Sequence, residues 1–207
     1  RARRHLEKKG IVILAAGKGT RMRSAIPKVL HELAGKPLLG HVIDKASSLA
    51  PAKICVVYGH EGERLKQAFA HDSRLCWVEQ SPQLGTGHAV QMTLDEIDGT
   101  DAALVLYGDV PLTRRSTLER LLRNVSANSI GLLTAFVDDP HGYGRIIRNP
   151  SGEVTAIVEE KDTDSQQKAI NETYTGIMAL PVPHLRDWLS RIGNKNSQGE
   201  YYLTDVI

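Results

Sequence analysis

Short apolar runs and helix-spaced segments alternate along residues 11–125. The runs IVILA (11–15), KICVVY (53–58), LCWVE (75–79) and AALVL (102–106) predict strands. Segments 38–49, 61–70, 86–97 and 116–125 predict helices from their apolar spacing. Near-continuous Val, Ile and Leu is the pattern of parallel strands covered on both faces, since neither face meets water. After Ile130 the rhythm changes. Residues 131–137, 144–148, 154–160 and 175–180 predict strands joined by Gly, Pro and Asn turns, and 183–191 predicts a short helix. The expected class is α/β: a mostly parallel sheet with helices on both faces, completed by a small antiparallel flap that walls one side of a site.

Ligands of open parallel sheets bind beyond the carboxyl ends of the strands. Three of those ends carry unusual chemistry. The first is LAAGKGTRMRSAIPK, residues 14–28. Ala15, Ala16, Gly17 and Gly19 let the backbone approach a ligand closely, and successive N–H groups in such a loop form an anion-binding concavity. Lys18, Arg21, Arg23 and Lys28 add four positive charges. Together these suit a triphosphate, although a glycine-rich surface turn with solvated charges has the same composition. The P-loop pattern G-x-x-x-x-G-K-[ST] is missing, and the G-x-G-x-x-G fingerprint fails at Met22. The second strand runs into Gly59 and His60 rather than an acidic ribose ligand, so a dehydrogenase is disfavoured.

The second end is QSPQLGTGHAV, residues 80–90. The Gln80 amide offers both a donor and an acceptor, as a pyrimidine edge requires. Gly85, Thr86 and Gly87 open the following helix, where Thr86 is either a cap or a ligand contact. His88 has no nucleophile to pair with and reads as structural. The third end is LYGDVPL, residues 106–112. Asp109 there faces the phosphates, and Mg²⁺ takes one or two carboxylates plus phosphates and waters. The competing reading is an Asp in a turn before Pro111. Glu159 and Glu160 beside Lys161 read by themselves as solvated charges, and Asp138 and Asp139 before Pro140 as a turn.

Hydrophobic residues make up 41% of the 207, enough for a buried core. The formal net charge of +2 gives no general basis for binding nucleic acid or an anionic membrane. Phosphate chemistry must therefore come from local clusters. The apolar runs are far shorter than a membrane span. Cys55 and Cys76 sit in strand-like runs and read as buried free thiols, which suits a reducing cytoplasm. Residues 1–9 read as a basic, polar extension. The chain ends in what looks like the start of a helix, so a piece of a longer protein is expected.

An ordered set of motifs spans residues 10–207: LAAGKGTRM with PKVLH, VVYGH, QLGTGHA, LYGDVPL, GLLT, DDP then GYGRI, IVEEKD and GEYYLTD. In these the chain resembles the N-terminal pyrophosphorylase domain of bacterial bifunctional N-acetylglucosamine-1-phosphate uridyltransferase / glucosamine-1-phosphate acetyltransferase. LAAG-x-G-TRM alone marks the wider nucleotidyltransferase superfamily; QLGTGHA, LYGDVPL and GYGRI narrow it. The resemblance implies a Rossmann-like nucleotidyltransferase fold over residues 10–207. It also implies a cytoplasmic, Mg²⁺-dependent reaction of UTP with N-acetylglucosamine 1-phosphate, giving UDP-N-acetylglucosamine and pyrophosphate. By the same resemblance, Leu14, Ala15, Ala16 and Gly17 line the nucleotide, and Lys28 holds the phosphates at the reacting centre. Arg21 meets the leaving pyrophosphate. Gln80, Gly85 and Thr86 read the uracil. Tyr107 and Gly108 flank the sugar side, Asp109 binds Mg²⁺, and Gly144 and Glu159 contact the sugar.

The chain departs from that family at one site position. The family reads N-E-x-N-T-G where this chain has residues 171–176 as NETYTG. Tyr174 stands in place of an asparagine that contacts the sugar nucleotide. A phenol lacks the amide's paired donor and acceptor and is bulkier, which leaves the sugar preference open. The resemblance places a further Mg²⁺ ligand and a left-handed β-helix acetyltransferase domain beyond residue 207. It attributes trimer formation largely to that β-helix, so the present piece is expected to be monomeric, and without the further Mg²⁺ ligand it is expected to bind nucleotide with reduced turnover. Two rivals stand beside this reading: a nucleotidyltransferase for another nucleotide or sugar phosphate, and a non-catalytic module that binds sugar nucleotides.

Overall fold

A computed structural model of the protein describes residues 8–16, 26–59 and 62–207. Strand β1 (Lys9–Leu14) is followed by a two-stranded antiparallel ribbon, β2 (Glu32–Leu33) and β3 (Lys36–Pro37), apart from the main sheet. β1 lies parallel to β4 (Lys53–Tyr58) on one side and β6 (Ala102–Tyr107) on the other, and β5 (Leu75–Glu79) extends the sheet beyond β4. On the far side of β6 the order turns antiparallel. β10 (Glu172–Pro181) pairs with β6 through residues 178–181 and carries β7 (Gly131–Phe136) on its other edge. The first half of β10 outruns β6. There it pairs with β8 (Arg145–Arg148), whose hairpin partner is β9 (Val154–Val158). This hairpin is the flap, and it stands at the carboxyl end of β6.

Helices cover both faces. β1 shows why: Ile11 and Ile13 point one way, Val12 and Leu14 the other, and all four are buried. The first face packs on α1 (Leu38–Ser48) and α5 (Arg115–Arg123). These helices supply Leu39, Val42, Ile43 and Ala46, and Leu118, Leu121 and Leu122, each set on a single helical stripe. The second face packs on α3 (Thr86–Gln91), α4 (Leu94–Ile97) and α7 (Val182–Arg191) through Val90, Leu94, Leu185 and Leu189. The short α2 (Gly62–Ala68) buries Leu65 in the first layer. No helix of the described residues is long and apolar enough to cross a membrane.

The expected mostly parallel sheet with two helical layers and an antiparallel flap is the observed architecture. Its edges differ in instructive ways. The single helix expected over 86–97 is two, because buried Thr93 turns its hydroxyl back onto the Val90 carbonyl at 2.7 Å, competing with the helical ladder. The strand expected over 154–160 stops at Val158, and residues Glu160–Asp162 form a 3₁₀ turn. β10 begins three residues earlier than the expected 175, at Glu172, since β7 and β8 both offer it partners. One small helix was unforeseen, α6 (Ser165–Lys168). Asp164 and Gln167 close it with a reciprocal capping box, a pattern present in the sequence. Cys55 and Cys76 are free and stand opposite one another in register. Cys55 is buried as expected and its thiol is pushed up to about 12 by burial, whereas Cys76 is only half-buried.

Candidate active site

Parallel register brings the three unusual strand ends to one edge. Leu14 stands opposite both Val57 and Tyr107. Just past the strands, Ala15 N–H donates to Val57 O, Gly108 N–H to Leu14 O, and Gln80 N–H to Tyr58 O, at 2.8, 3.0 and 2.8 Å. The residues therefore run along the rim in the order Gln80, Gly59, Ala15 and Ala16, then Gly108 and Asp109. Gly17 and Arg21, like Lys18, Gly19, Arg23 and His60, lie outside the described residues.

At the middle of the rim, Lys28 Nζ is 3.0 Å from Asp109 Oδ2. Lys28 opens a 3₁₀ turn (Lys28–Leu30) that Pro27 introduces with extended dihedrals, and Val29 is buried beneath it. The turn packs tightly on the end of β6: a Cβ added to Gly108 would lie 3.1 Å from Val29 Cγ1. A side chain at 108 would require the Val29 and Leu39 side chains to give way by a few tenths of an ångström. Lys28 and Asp109 are 56% and 27% exposed at their side chains, so the pair is open to an incoming ligand. Among the described residues no group of three His, Cys, Asp or Glu could hold a metal by itself. A single carboxylate that already takes a cation suits a metal whose other ligands are phosphate and water.

On the β5 side, Gln80 is almost fully buried. Its amide nitrogen donates to Gly85 O and to His88 Nδ1, each at 2.9 Å. The donor half of the amide is thus spent on shaping the loop. His88 is the structural residue expected, and burial lowers its pKa. Gly85 has a φ of +109°, and a Cβ there would collide with Tyr201 O at 2.6 Å. Thr86 does not cap α3, whose N-cap is Gly85. Its hydroxyl instead accepts from Leu203 N–H at 2.9 Å.

On the β10 side the flap sets Gly144 against Glu159: an added Cβ at Gly144 would lie 3.6 Å from each carboxylate oxygen. Tyr174 N–H donates to Gly144 O at 2.9 Å. Tyr174 is 8% exposed, and its hydroxyl is buried with no hydrogen-bond partner among the described residues. Burial raises the pKa of Tyr107, Tyr174 and Glu159. The Glu159 charge adds to the effect on both tyrosines, and the Asp109 charge to that on Tyr107, so these four groups share one neighbourhood.

Several contributors were not foreseen. Gln83 lies across Gly59 beside Ala16, where a Cβ at Gly59 would meet its amide nitrogen at 1.8 Å. The 201–204 segment braces both ends of the site. Tyr201 N–H donates to Leu84 O, Tyr201 O accepts from Gly87 N–H, and Thr204 Oγ1 donates to Glu159 at 3.4 Å. No local pattern announces such long-range bracing; GEYYLTD stood out only as a motif. The turn expected at Asp138 and Asp139 closes one step later, over 140–143: Tyr143 N–H donates to Pro140 O, and the Asp139 carboxylate accepts from His141 N–H at 3.1 Å.

Comparison with known proteins adds to this geometry. The protein called bifunctional protein GlmU of Nitrosospira multiformis is 55% identical over 203 residues, which is 98% of this chain and 44% of that protein. Its namesake in Pseudomonas putida is 57% identical over 197 residues, 95% of this chain and 43% of that protein. The chain thus spans less than half the length of these relatives. Among solved structures, a UDP-glucose pyrophosphorylase complexed with UDP-glucose superposes with a TM-score of 0.73 at 20% identity, covering 96% of this chain and 84% of that one. HddC from Yersinia pseudotuberculosis gives 0.64 at 19%, covering 94% and 83%. At such identity these two establish a shared fold. The family model described as a MobA-like NTP transferase domain matches residues 11–167, and the chain belongs to that family.

Proposed function

We propose that residues 10–207 catalyse uridylyl transfer from UTP to N-acetylglucosamine 1-phosphate, releasing pyrophosphate. The observation that carries this reading is the Lys28–Asp109 pair at 3.0 Å on the rim between β1 and β6. It sets a phosphate-binding cation and a metal-binding carboxylate at one point. Identity of 55% to a bifunctional protein GlmU over 98% of the chain supports the choice of substrates.

The sugar phosphate oxygen attacks the α-phosphorus of UTP in line. The bond from that phosphorus to the bridging oxygen breaks, and pyrophosphate leaves with the electron pair. The attacking phosphate is already anionic, so no strong base is required. The barrier is largely anion repulsion and alignment, which Lys28 and Arg21 lower by neutralising charge and fixing geometry. Leu14, Ala15, Ala16 and Gly17 bring backbone against the nucleotide. The Gln80–Gly85–Thr86 loop, ordered by its own hydrogen bonds, presents the uracil-reading edge. Tyr107, Gly108, Gly144, Glu159 and Tyr174 enclose the sugar. Asp109 would hold a Mg²⁺ ion, which when bound would supply further charge neutralisation on the phosphates.

A second reading has one observation in its favour. The buried Tyr174 hydroxyl, unpartnered among the described residues, suits a sugar whose polar group reaches it better than an acetamido group would. A panel of nucleoside triphosphates against N-acetylglucosamine, glucosamine and glucose 1-phosphates, scored by Mg²⁺-dependent pyrophosphate release, separates the two. The proposal expects UTP with N-acetylglucosamine 1-phosphate to lead in kcat/KM. A different leading sugar supports the second reading, and no release with any pair overturns both.

Glu159 supplies a pH signature. Burial holds its carboxyl above the usual value, against the lowering effect of the Thr204 hydrogen bond. It accepts sugar hydroxyls most strongly when ionised, since a charged acceptor makes the stronger hydrogen bond. Sugar-phosphate kcat/KM is therefore lost as pH falls through that raised value, giving an acid limb above the ordinary carboxylate range. Glu159→Gln should erase the limb and lower the plateau about tenfold or more, the loss of one charged hydrogen bond. The linkage to stability has the opposite sense. Ionising this group disfavours the fold, so its contribution to stability declines as pH rises from the unfolded-state value through the raised one. Thermal unfolding of wild type and variant across pH checks that sign.

A further inference from the structure

The flap has two faces, and only one takes part in the site described above. Arg145 pairs in register with Val158 on β9 and with Thr173 on β10. Continuing both registers by one residue puts Glu159, Gly144 and Tyr174 in a single row across three strands. Side chains alternate along a strand, so this row and the row Val158–Arg145–Thr173 point to opposite faces. Arg145 therefore lies directly behind the sugar side.

Its side chain is 2% exposed. Nη1 donates to Tyr143 O and Glu160 Oε2, and Nη2 donates to Lys168 O at 3.4 Å. One guanidinium thus ties the residue before Gly144, the residue after Glu159, and the last residue of α6. Among the described residues Arg145 is the largest of the fully buried side chains, and its Nε is buried without a partner there. A buried guanidinium with an unmet donor is costly, and an apolar side chain of similar size would pack the same place without that cost. Glu160 is 20% exposed at its side chain and also meets His141 Nδ1 at 3.2 Å, so it fastens the 140–144 turn to the start of the 160–162 turn.

We propose that Arg145, acting through Glu160, is a positioning residue for the sugar end of the reaction: it locks the back of the flap so that Gly144, Glu159 and Tyr174 hold their spacing. This rests on the function proposed above. It adds that sugar-phosphate recognition depends on a residue that cannot touch the sugar, while the nucleotide end does not depend on it.

The test uses Arg145→Met, Arg145→Lys and Glu160→Ala in the whole chain. Glu160→Ala keeps the readout available should the buried substitution impair folding. In the ligand-free protein, hydrogen exchange should rise selectively in peptides covering Gly144, Glu159 and Tyr174, and stay unchanged around Gln80 and Gly108. In turnover, Arg145→Met should raise KM for the sugar phosphate about tenfold, with KM for UTP held within about twofold, as expected for a loss confined to one substrate's binding. Arg145→Lys should fall between, since an ammonium keeps the charge but not the forked geometry. Unchanged exchange in the flap, an unchanged sugar-phosphate KM, or equal rises in both KM values overturns the inference. A wild-type protein that turns over no sugar phosphate overturns the functional reading and this inference with it. An active wild type whose variants lack the split overturns the inference alone.

Discussion

Lys28→Ala should lower kcat by about 10²–10³, or roughly 2.7–4 kcal/mol of transition-state stabilisation, the usual cost of removing one preorganised charge or donor. The fold should barely respond. The lysine side chain is 56% exposed, and Asp109 is its ion-pair partner among the described residues. An ion pair of that exposure contributes about 0–1 kcal/mol to stability. Val29, not Lys28, anchors the turn in the core. Steady-state pyrophosphate release alongside a thermal melt separates the two effects. A rate near that of wild type removes Lys28 from the chemistry. A collapse of the melting temperature would mean that the activity loss reports unfolding.

Asp109→Asn should have a comparable effect on kcat/KM with a different signature. It keeps the volume and a weak oxygen ligand but loses the negative charge. The Mg²⁺ concentration for half-maximal activity should therefore rise by an order of magnitude or more, whereas Lys28→Ala should leave it nearly unchanged. The substitution also frees the Lys28 ammonium from its 3.0 Å partner. UTP binding measured without metal should then hold or improve, because a cation held by a carboxylate becomes available to phosphate. If Asp109→Asn leaves the metal requirement where it was, Asp109 does not hold the metal.

Much of this geometry was readable from residue patterns because the first half of the chain is built from local rules. Buried parallel strands are near-continuous apolar runs, and β4, β5 and β6 each end where a Gly or a polar residue begins. Placing Ala15, Ala16 and Lys28 at one edge with residues 80–86 and 107–111 needed only the rule that ligands sit at carboxyl ends. The second half was less legible because its pairing is long-range. Nothing near Glu172 announces that β10 will outrun β6 and recruit β8, or that Gly144, Glu159 and Tyr174 will form one row. Thr86 illustrates the limit well. Its position at a helix start suggested a cap, yet its hydroxyl is taken by the N–H of Leu203 from 117 residues away. Gln80 is similar: an amide suited to a pyrimidine edge spends its donors on Gly85 and His88. Arg145 stood out only as one letter of GYGRI, since burial of a charged residue overrides what its type suggests.

The most direct test of the account is a crystal structure of the chain with UDP-N-acetylglucosamine and Mg²⁺. The uracil should lie by the Gln80–Gly85 loop, and the sugar should be enclosed by Gly144, Glu159 and Tyr174. The diphosphate should cross Ala15 and Ala16, with the Lys28 ammonium moved from Asp109 onto a phosphate oxygen and the metal beside the carboxylate. Nucleotide bound elsewhere on the molecule, with Lys28 and Asp109 still paired, would contradict it.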